Sequence, residues 1–336
     1  MSHHAGSAVT ADGPRVAAPS LNPWVVFLVR RLSRFVFSLW LLVTFAFLLL
    51  HLIPGDPVRN ALGLTAPQDL VERQRETLGL NDPLHVQYGS YLADLSRGDF
   101  GVSMLNRLPV IDTISQRLPN TLSLALLAFL AVTLIAVPLG LLMAILTRDG
   151  RRRPLELGFT SGSMVVSAVP EFLLSVLLVY LFAVNLGVLP IAGKAGPSSY
   201  VLPVAAMTLG SAMALSRLVR VEVLGVLGQD FIRTARAKRL RAGRIYLRHA
   251  LPNAVTATLT VSGLLLAGLV VGSVLVETIF AWPGLGPTMV SSILAKDYPM
   301  VQGIVLVYGT MVLLINLAVD LTLALLDPRS TIREAA

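Results

Sequence analysis

The sequence predicts an all-α polytopic membrane protein with six transmembrane helices, and three observations carry that expectation. Hydrophobic residues make up 54% of the 336 positions and charged residues only 14%, giving a mean hydropathy of +0.73. A soluble chain carries about 25% charged residues. The apolar residues also fall in uninterrupted runs of around 20, the length a helix needs to cross a bilayer core. Finally, the basic residues gather in alternate connections, as the topology of a multi-spanning protein requires.

Residues 1–23 are small and polar and read as a disordered cytoplasmic tail. Arg30, Arg31 and Arg34 precede the run Phe35 to Ile53, the apolar centre of a first span covering 24–53. A basic flank before an apolar core resembles a secretion signal, but no small-x-small cleavage site follows, so the span is read as uncleaved. Pro54-Gly55-Asp56-Pro57 stops it. An extracytoplasmic insert then covers 54–118, with eight acids against six bases. Within it, Thr65 to Leu78 has Pro67 near a helix start and Gly79 as its stop, and a second helix is expected over Leu84 to Arg97.

Five further apolar runs lie in the remaining core, 119–327. They are Thr121 to Thr147, a span within Leu157 to Leu189 containing Pro170-Glu171, Tyr200 to Ser216, Ala254 to Val276, and Met300 to Leu326 with Asp320 inside it. Residues 328–336 form a second tail. Six spans put both termini on one side. With the two tails, 148–156 and 217–252 in the cytoplasm, that face holds 19 basic residues and the other holds 8, so the expected orientation is N-in, C-in. The net charge of +8 is therefore mainly a topology signal, and nucleic acid is not an expected partner.

The absence of cysteine excludes disulfides, thiolate metal sites and cysteine nucleophiles. The five histidines (3, 4, 51, 85 and 249) have no metal-ligand spacing, so no metal site is expected. No G-x-x-x-x-G-K-[ST] loop is present, so the chain does not hold ATP in that way. No set of nucleophile, base and orienting acid converges either. The expected role is transport, not catalysis, with no cofactor on this chain.

The stretch 217–253 holds nine of the 27 Lys and Arg residues. A short tether would suffice to join two spans, so this one reads as a docking surface through which a partner moves the helices. The bland alternative is a basic connector held near anionic lipid. Phe231 to Leu240 suits a short helix between Gly228 and Gly243, with small Ala235 and Ala237 letting a partner approach closely.

FIRTARAK…LRHALPNA in this stretch resembles the conserved loop of ABC importer permeases, in the version carried by dipeptide, oligopeptide and nickel permeases. Arg233-Thr234-Ala235 stand at the motif's E-A-A positions, Leu251-Pro252 match its closing L-P, and Arg239 stands where the motif has glycine. Glycine permits φ > 0, which an Arg adopts only at a cost, and Gly243 is available to take the bend downstream. The rest of the chain follows the family's order. PGDP (54–57), LGLNDPLHVQY (78–88), GDFGVS (98–103), RLPNTLSLAL (117–126), NLGVLPIAG (185–193), ETIFAWPGLG (277–286), DYPMVQG (297–303) and NLAVDLTLALLDPR (316–329) are similar to its successive segments, with Leu323 where Tyr is frequent.

The resemblance implies a type I importer permease in the bacterial cytoplasmic membrane. It implies a coupling helix formed by Phe231, Arg233, Thr234, Ala235, Ala237, Lys238, Arg239 and Leu240, with Gly243, Leu251 and Pro252 closing the loop. Its implied partners are a second permease subunit (a different chain or a second copy), two ATPase subunits carrying ATP and Mg²⁺, and an extracytoplasmic substrate-binding protein. Di- or oligopeptides are the expected cargo, with nickel or another small solute as the alternative. A secondary transporter driven by an ion gradient is the reading from another class, and it would need membrane-embedded acids.

Three such acids exist. Glu171, Glu277 and Asp320 either line a translocation path or serve structural ends. Glu171 could accept from backbone groups freed by Pro170, Glu277 could lie at the outer interface beside Trp282, and Asp320 could sit near the cytoplasmic end and pair with an Arg there. Trp282-Pro283-Gly284 reads as a rigid outer turn with an interfacial aromatic; the resemblance implies that it shapes the outer gate or helps seat the binding protein.

Overall fold

The computed structural model describes residues 22–52, 58–59, 65–77, 79–150 and 152–326. The expected terminal tails, the PGDP turn and the Asp327-Pro328 pair lie outside the described residues.

Helix α1 (Pro23–Leu52) begins where the Asn22 side chain accepts the backbone N–H of Trp24 at 3.0 Å. It starts well before Phe35, so Arg30, Arg31 and Arg34 sit on the helix, within the span expected over 24–53. α2 (Gln68–Thr77) and α3 (Leu84–Ser96) occupy the insert close to their expected places. The insert is fastened to the spans. Thr44 of α1 hydrogen-bonds Tyr88 of α3 at 2.7 Å, and Phe47 packs against the rings of Tyr88 and Tyr91. Burial, with Tyr88 beside it, pushes the Tyr91 phenol above its ordinary pKa.

α4 (Val110–Thr147) takes its first turns from residues expected to belong to the insert. α5 (Arg153–Ala168) and α6 (Glu171–Leu178) meet at 89°, with a wide helical turn, Val179–Asn185, prolonging α6. The third span is thus broken, and its sequence states the cause. Pro170 has no N–H to give, and it forces Val169 before it into an extended conformation (φ −75°, ψ 121°).

α7 (Val201–Leu227) runs eleven residues beyond its expected end at Ser216. α8 (Asp230–Ala237) is the short loop helix; a turn at Ala242–Arg244 and a wide turn at Ile245–Ala250 lead into α9 (Leu251–Ile279). α10 (Leu285–Leu294) is a helix the sequence reading did not anticipate, and α11 (Tyr298–Leu326) ends the described chain. Among the described residues, five helices are long and apolar enough to span a membrane, or six if the bent pair counts as one.

The core is built around α4 and α7, where Leu124, Ala128, Val132 and Ala136 meet Ala206, Ala212, Leu215 and Val219. Small residues let these backbones approach closely, the usual device where lipid offers no hydrophobic drive between helices. A Cβ placed on Gly140 would stand 2.6 Å from the Ser216 carbonyl oxygen, so only glycine fits this crossing. The opposite faces expose large apolar side chains such as Leu134, Leu142, Val165, Leu264 and Leu325, a surface suited to lipid.

Candidate functional site

Two clusters lie at opposite ends of α4 and α9. At one end, α8 follows a break at Gly228-Gln229, where Gln229 is extended (φ −76°, ψ 156°) and Asp230 enters the first helical turn. An acid there complements the partial positive charge of the helix N-terminus. Ile232 and Ala235 lie on one face and are buried against the chain's own core, at 0% and 7% exposure. Phe231, Arg233, Thr234, Ala237, Lys238 and Arg239 are exposed. Ala235 therefore does not present its small side chain to a partner as expected; it is small because α8 lies flat on its own helices.

Arg239 closes α8 with φ +53°. Its N–H reaches the Arg236 carbonyl at 2.8 Å, and the Leu240 N–H reaches the Ala235 carbonyl at 3.3 Å. This is the Schellman closure, in which the residue after the C-cap is left-handed and is usually glycine. Half-buried Leu240 packs on the core beneath it. The bend has not moved to Gly243, which lies in the turn Ala242–Arg244 without positive φ. Arg239 itself takes up the conformation that a glycine would adopt freely.

The basic residues of 217–253 divide into two sets. Arg220 bonds the Glu156 carboxylate at 2.6 Å and the Thr147 hydroxyl at 3.0 Å, fastening α7 to α5 and to the end of α4. Arg217 donates to Ser167 at 3.1 Å, and Arg236 to the Leu227 carbonyl at 3.4 Å. Arg233, Lys238, Arg239, Arg241, Arg244 and Arg248 remain exposed around α8 and the following turn. Leu251 and Pro252 open α9 directly after the wide turn.

At the other end, α9 finishes in the turn Phe280–Gly284. Glu277 is wholly buried, accepting from the Gly286 N–H at 2.7 Å and the Ser273 hydroxyl at 3.0 Å. Thr121 of α4 receives the Leu285 N–H at 2.9 Å. These bonds satisfy donors at the start of α10 and tie three helices together. A Cβ on Gly286 would meet the Val274 backbone at 2.8 Å, so the turn closes only with glycine. Glu277 faces this turn.

Trp282 is 1% exposed, and its indole N–H donates to the Asn120 carbonyl at 3.2 Å while its ring meets Tyr200 edge-on at 4.6 Å. An interfacial anchor would have been exposed; this one is a pin within the chain. Lys194, which the sequence reading passed over, stands beside it. Its ammonium donates to the Asn120 side-chain oxygen at 2.7 Å, and Asn120 in turn donates to the Pro283 carbonyl at 2.8 Å.

The remaining acids lie apart. Glu171 is half-buried at the start of α6, beside Ser211 of α7 and Gly272 of α9, where the helix N-terminus and a hydroxyl can hold it. Asp320 of α11 pairs with Arg31 of α1 at 2.6 Å, an arginine partner of the kind expected for it.

Comparison with known proteins agrees with this architecture. A family described as binding-protein-dependent transport system inner membrane component matches residues 136–332, and the N-terminal part of such membrane components matches 24–125. The glutathione transport system permease protein GsiC of Salmonella typhimurium is 37% identical over 304 residues, 90% of this chain and 97% of that protein. Its counterpart from Escherichia coli K12 is 36% identical over the same share of each chain. Among solved structures, an inward-facing form of the MetNI methionine ABC transporter has the same fold, with a TM-score of 0.55 at 19% identity, covering 64% of this chain and 96% of that one. The chain belongs to the inner-membrane permease components of binding-protein-dependent ABC importers.

Proposed function

We propose that this permease carries di- or oligopeptides, and that α8 couples it to a separate ATPase. The observation that carries the peptide reading is the 37% identity, over 90% of the chain, to permeases named for glutathione transport. Glutathione is a small peptide, so the relatives favour peptide cargo over nickel.

The coupling reading rests on the geometry of α8. A rigid, amphipathic helix lies flat on the core through Ile232 and Ala235, and leaves Phe231, Thr234 and Ala237 on its outer surface among exposed cations. Such a face suits a groove in a partner. α8 is tied to the end of α7 through Arg236 and the Leu227 carbonyl, so a displaced ATPase moves α7 with α8. Six spans with both termini in the cytoplasm place α8 on the ATPase side and Lys194, Trp282 and the insert on the side of the substrate-binding protein. A second permease subunit, a different chain or a second copy, encloses the path. ATP and Mg²⁺ belong to the ATPase subunits. Their closure shifts the assembly between two states of opposite access. Half-buried Glu171 is the acid best placed to line that path, whereas Glu277 and Asp320 are spent on contacts within the chain.

The test is uptake into proteoliposomes containing this permease, its partner subunits and its binding protein. ATP-dependent accumulation of dipeptides or tripeptides, unaffected by excess nickel ion, is the expected result. ATP-dependent nickel accumulation without peptide uptake would overturn the peptide reading.

A further inference from the structure

Lys194 is an exposed cation with no acidic partner in the fold around it. Among the described residues, no Asp or Glu stands within ion-pair distance of its ammonium. Glu277, the acid of the neighbouring turn, is buried and gives its two oxygens to Gly286 and Ser273. One ammonium proton is spent on Asn120, and the aromatic faces of Tyr200 and Trp282 lie 5.7 and 5.8 Å from the nitrogen. The Tyr200 hydroxyl is a second hydrogen-bond partner of the ammonium, so of its three donors one remains for a ligand.

The cation is also held in place. Asn120 is fixed by its bond to the Pro283 carbonyl at 2.8 Å, and the backbone on either side of Lys194 is tied down. The Gly193 N–H meets the Phe280 carbonyl at 2.7 Å, and the Ala195 N–H meets the Ser199 hydroxyl at 3.1 Å. Beside it opens a cavity of about 500 Å³ lined by Leu127, Lys194, Ala195, Gly196, Pro197 and Tyr200. An exposed cation positioned by Asn120 and two aromatic rings, without an acidic partner, at the rim of a mainly apolar cavity is suited to one ligand chemistry: an anionic head on a small organic body.

We propose that Lys194 receives a carboxylate of the substrate at the outer mouth of the path, and so selects for peptides with a free C-terminus. This rests on the peptide-import reading above. The charge-assisted bond is formed by the carboxylate and not by an amide in its place.

The assay is ATP-dependent uptake, by the complete reconstituted importer, of a dipeptide as free acid and as C-terminal amide. Because the same binding protein serves every variant, its own preference cancels when the acid-to-amide uptake ratios of two permeases are compared. In Lys194→Met the ratio should fall by about tenfold or more, the equivalent of one lost charge-assisted hydrogen bond. Lys194→Arg should restore most of it. If Lys194→Met slows both probes equally, or leaves the ratio unchanged, the proposal is overturned. It is likewise overturned if the variant mainly weakens docking of the binding protein, measured directly, since Lys194 would then meet an acid on that protein. Should the wild type import neither probe, the peptide reading falls and takes this proposal with it; an unchanged ratio with active import removes the Lys194 proposal alone.

Discussion

The Glu277 carboxylate holds the backbone N–H of Gly286 at 2.7 Å, so the last turn of one span caps the short helix that follows it. The bond lies in a region from which water is excluded, since Glu277 is 0% exposed. Replacing Glu277 with Ala leaves the buried Gly286 N–H without its acceptor, at a cost of about 1–3 kcal/mol, whereas the Ser273 hydroxyl keeps the Val270 carbonyl at 2.9 Å. Glu277→Gln keeps an acceptor oxygen and should cost less. Thermal unfolding of the purified protein in detergent should rank wild type above Gln above Ala, and an Ala variant as stable as wild type would remove Glu277 from this role.

Arg239 makes the opposite prediction, a gain. A non-glycine residue in the left-handed region costs about 1–2 kcal/mol. Arg239→Gly relieves it, while the Schellman bonds to Arg236 and Ala235 stay as they are. The variant should melt higher and keep ATP-coupled uptake. A more stable protein that no longer couples would assign the Arg239 side chain to a contact with the ATPase.

Ala235 and Ala237 are two residues apart but on different faces. Ala235→Trp forces a large ring into a packed core and should destabilise by about 1–3 kcal/mol or more, lifting α8 from its bed. Ala237→Trp points into solvent and should leave the melting temperature within about 0.5 kcal/mol of wild type, yet reduce co-purification with the ATPase. Equal loss of stability in both would mean that α8 has no free outer face.

Asp320 and Arg31 make an ion pair at 2.6 Å between the first and last helices of the described chain. Arg31→Met leaves the carboxylate uncompensated beside the apolar band, and a loss of roughly 1–3 kcal/mol is expected. The double variant Arg31→Met with Asp320→Leu should recover most of it. Membrane expression and thermal unfolding of the single and double variants would expose additive losses, which this pairing does not allow.

Much of this architecture was legible in the sequence because membranes read sequence in a coarse way. Runs of apolar residues gave the spans, and prolines and glycines gave their breaks. The misplaced boundaries have a common cause. Arg217 and Arg220 looked like loop residues because they are charged, but Ser167, Thr147 and Glu156 receive them, so α7 continues through its basic end. α10 was invisible because Pro283-Gly284 and Gly286-Pro287 read as turn, while Glu277, nine residues upstream, supplies its cap. Lys194 was passed over for a related reason: one Lys in a short connection carries no pattern, and its meaning comes from Asn120, Tyr200 and Trp282, which lie far from it along the chain. Ala235 was placed correctly on the helix and given the wrong face, since a small residue serves close packing inward as well as outward.

The 89° meeting of α5 and α6 has a mechanical consequence. A straight rod carries displacement along its length, whereas a bell crank converts it into a sweep at right angles. α5 is bolted to α7 through Glu156 and Arg220, and Arg220 lies ten residues before the loop helix begins at Asp230. A stroke delivered there along α5 would emerge at α6 as a sideways swing, with Glu171 riding at the elbow.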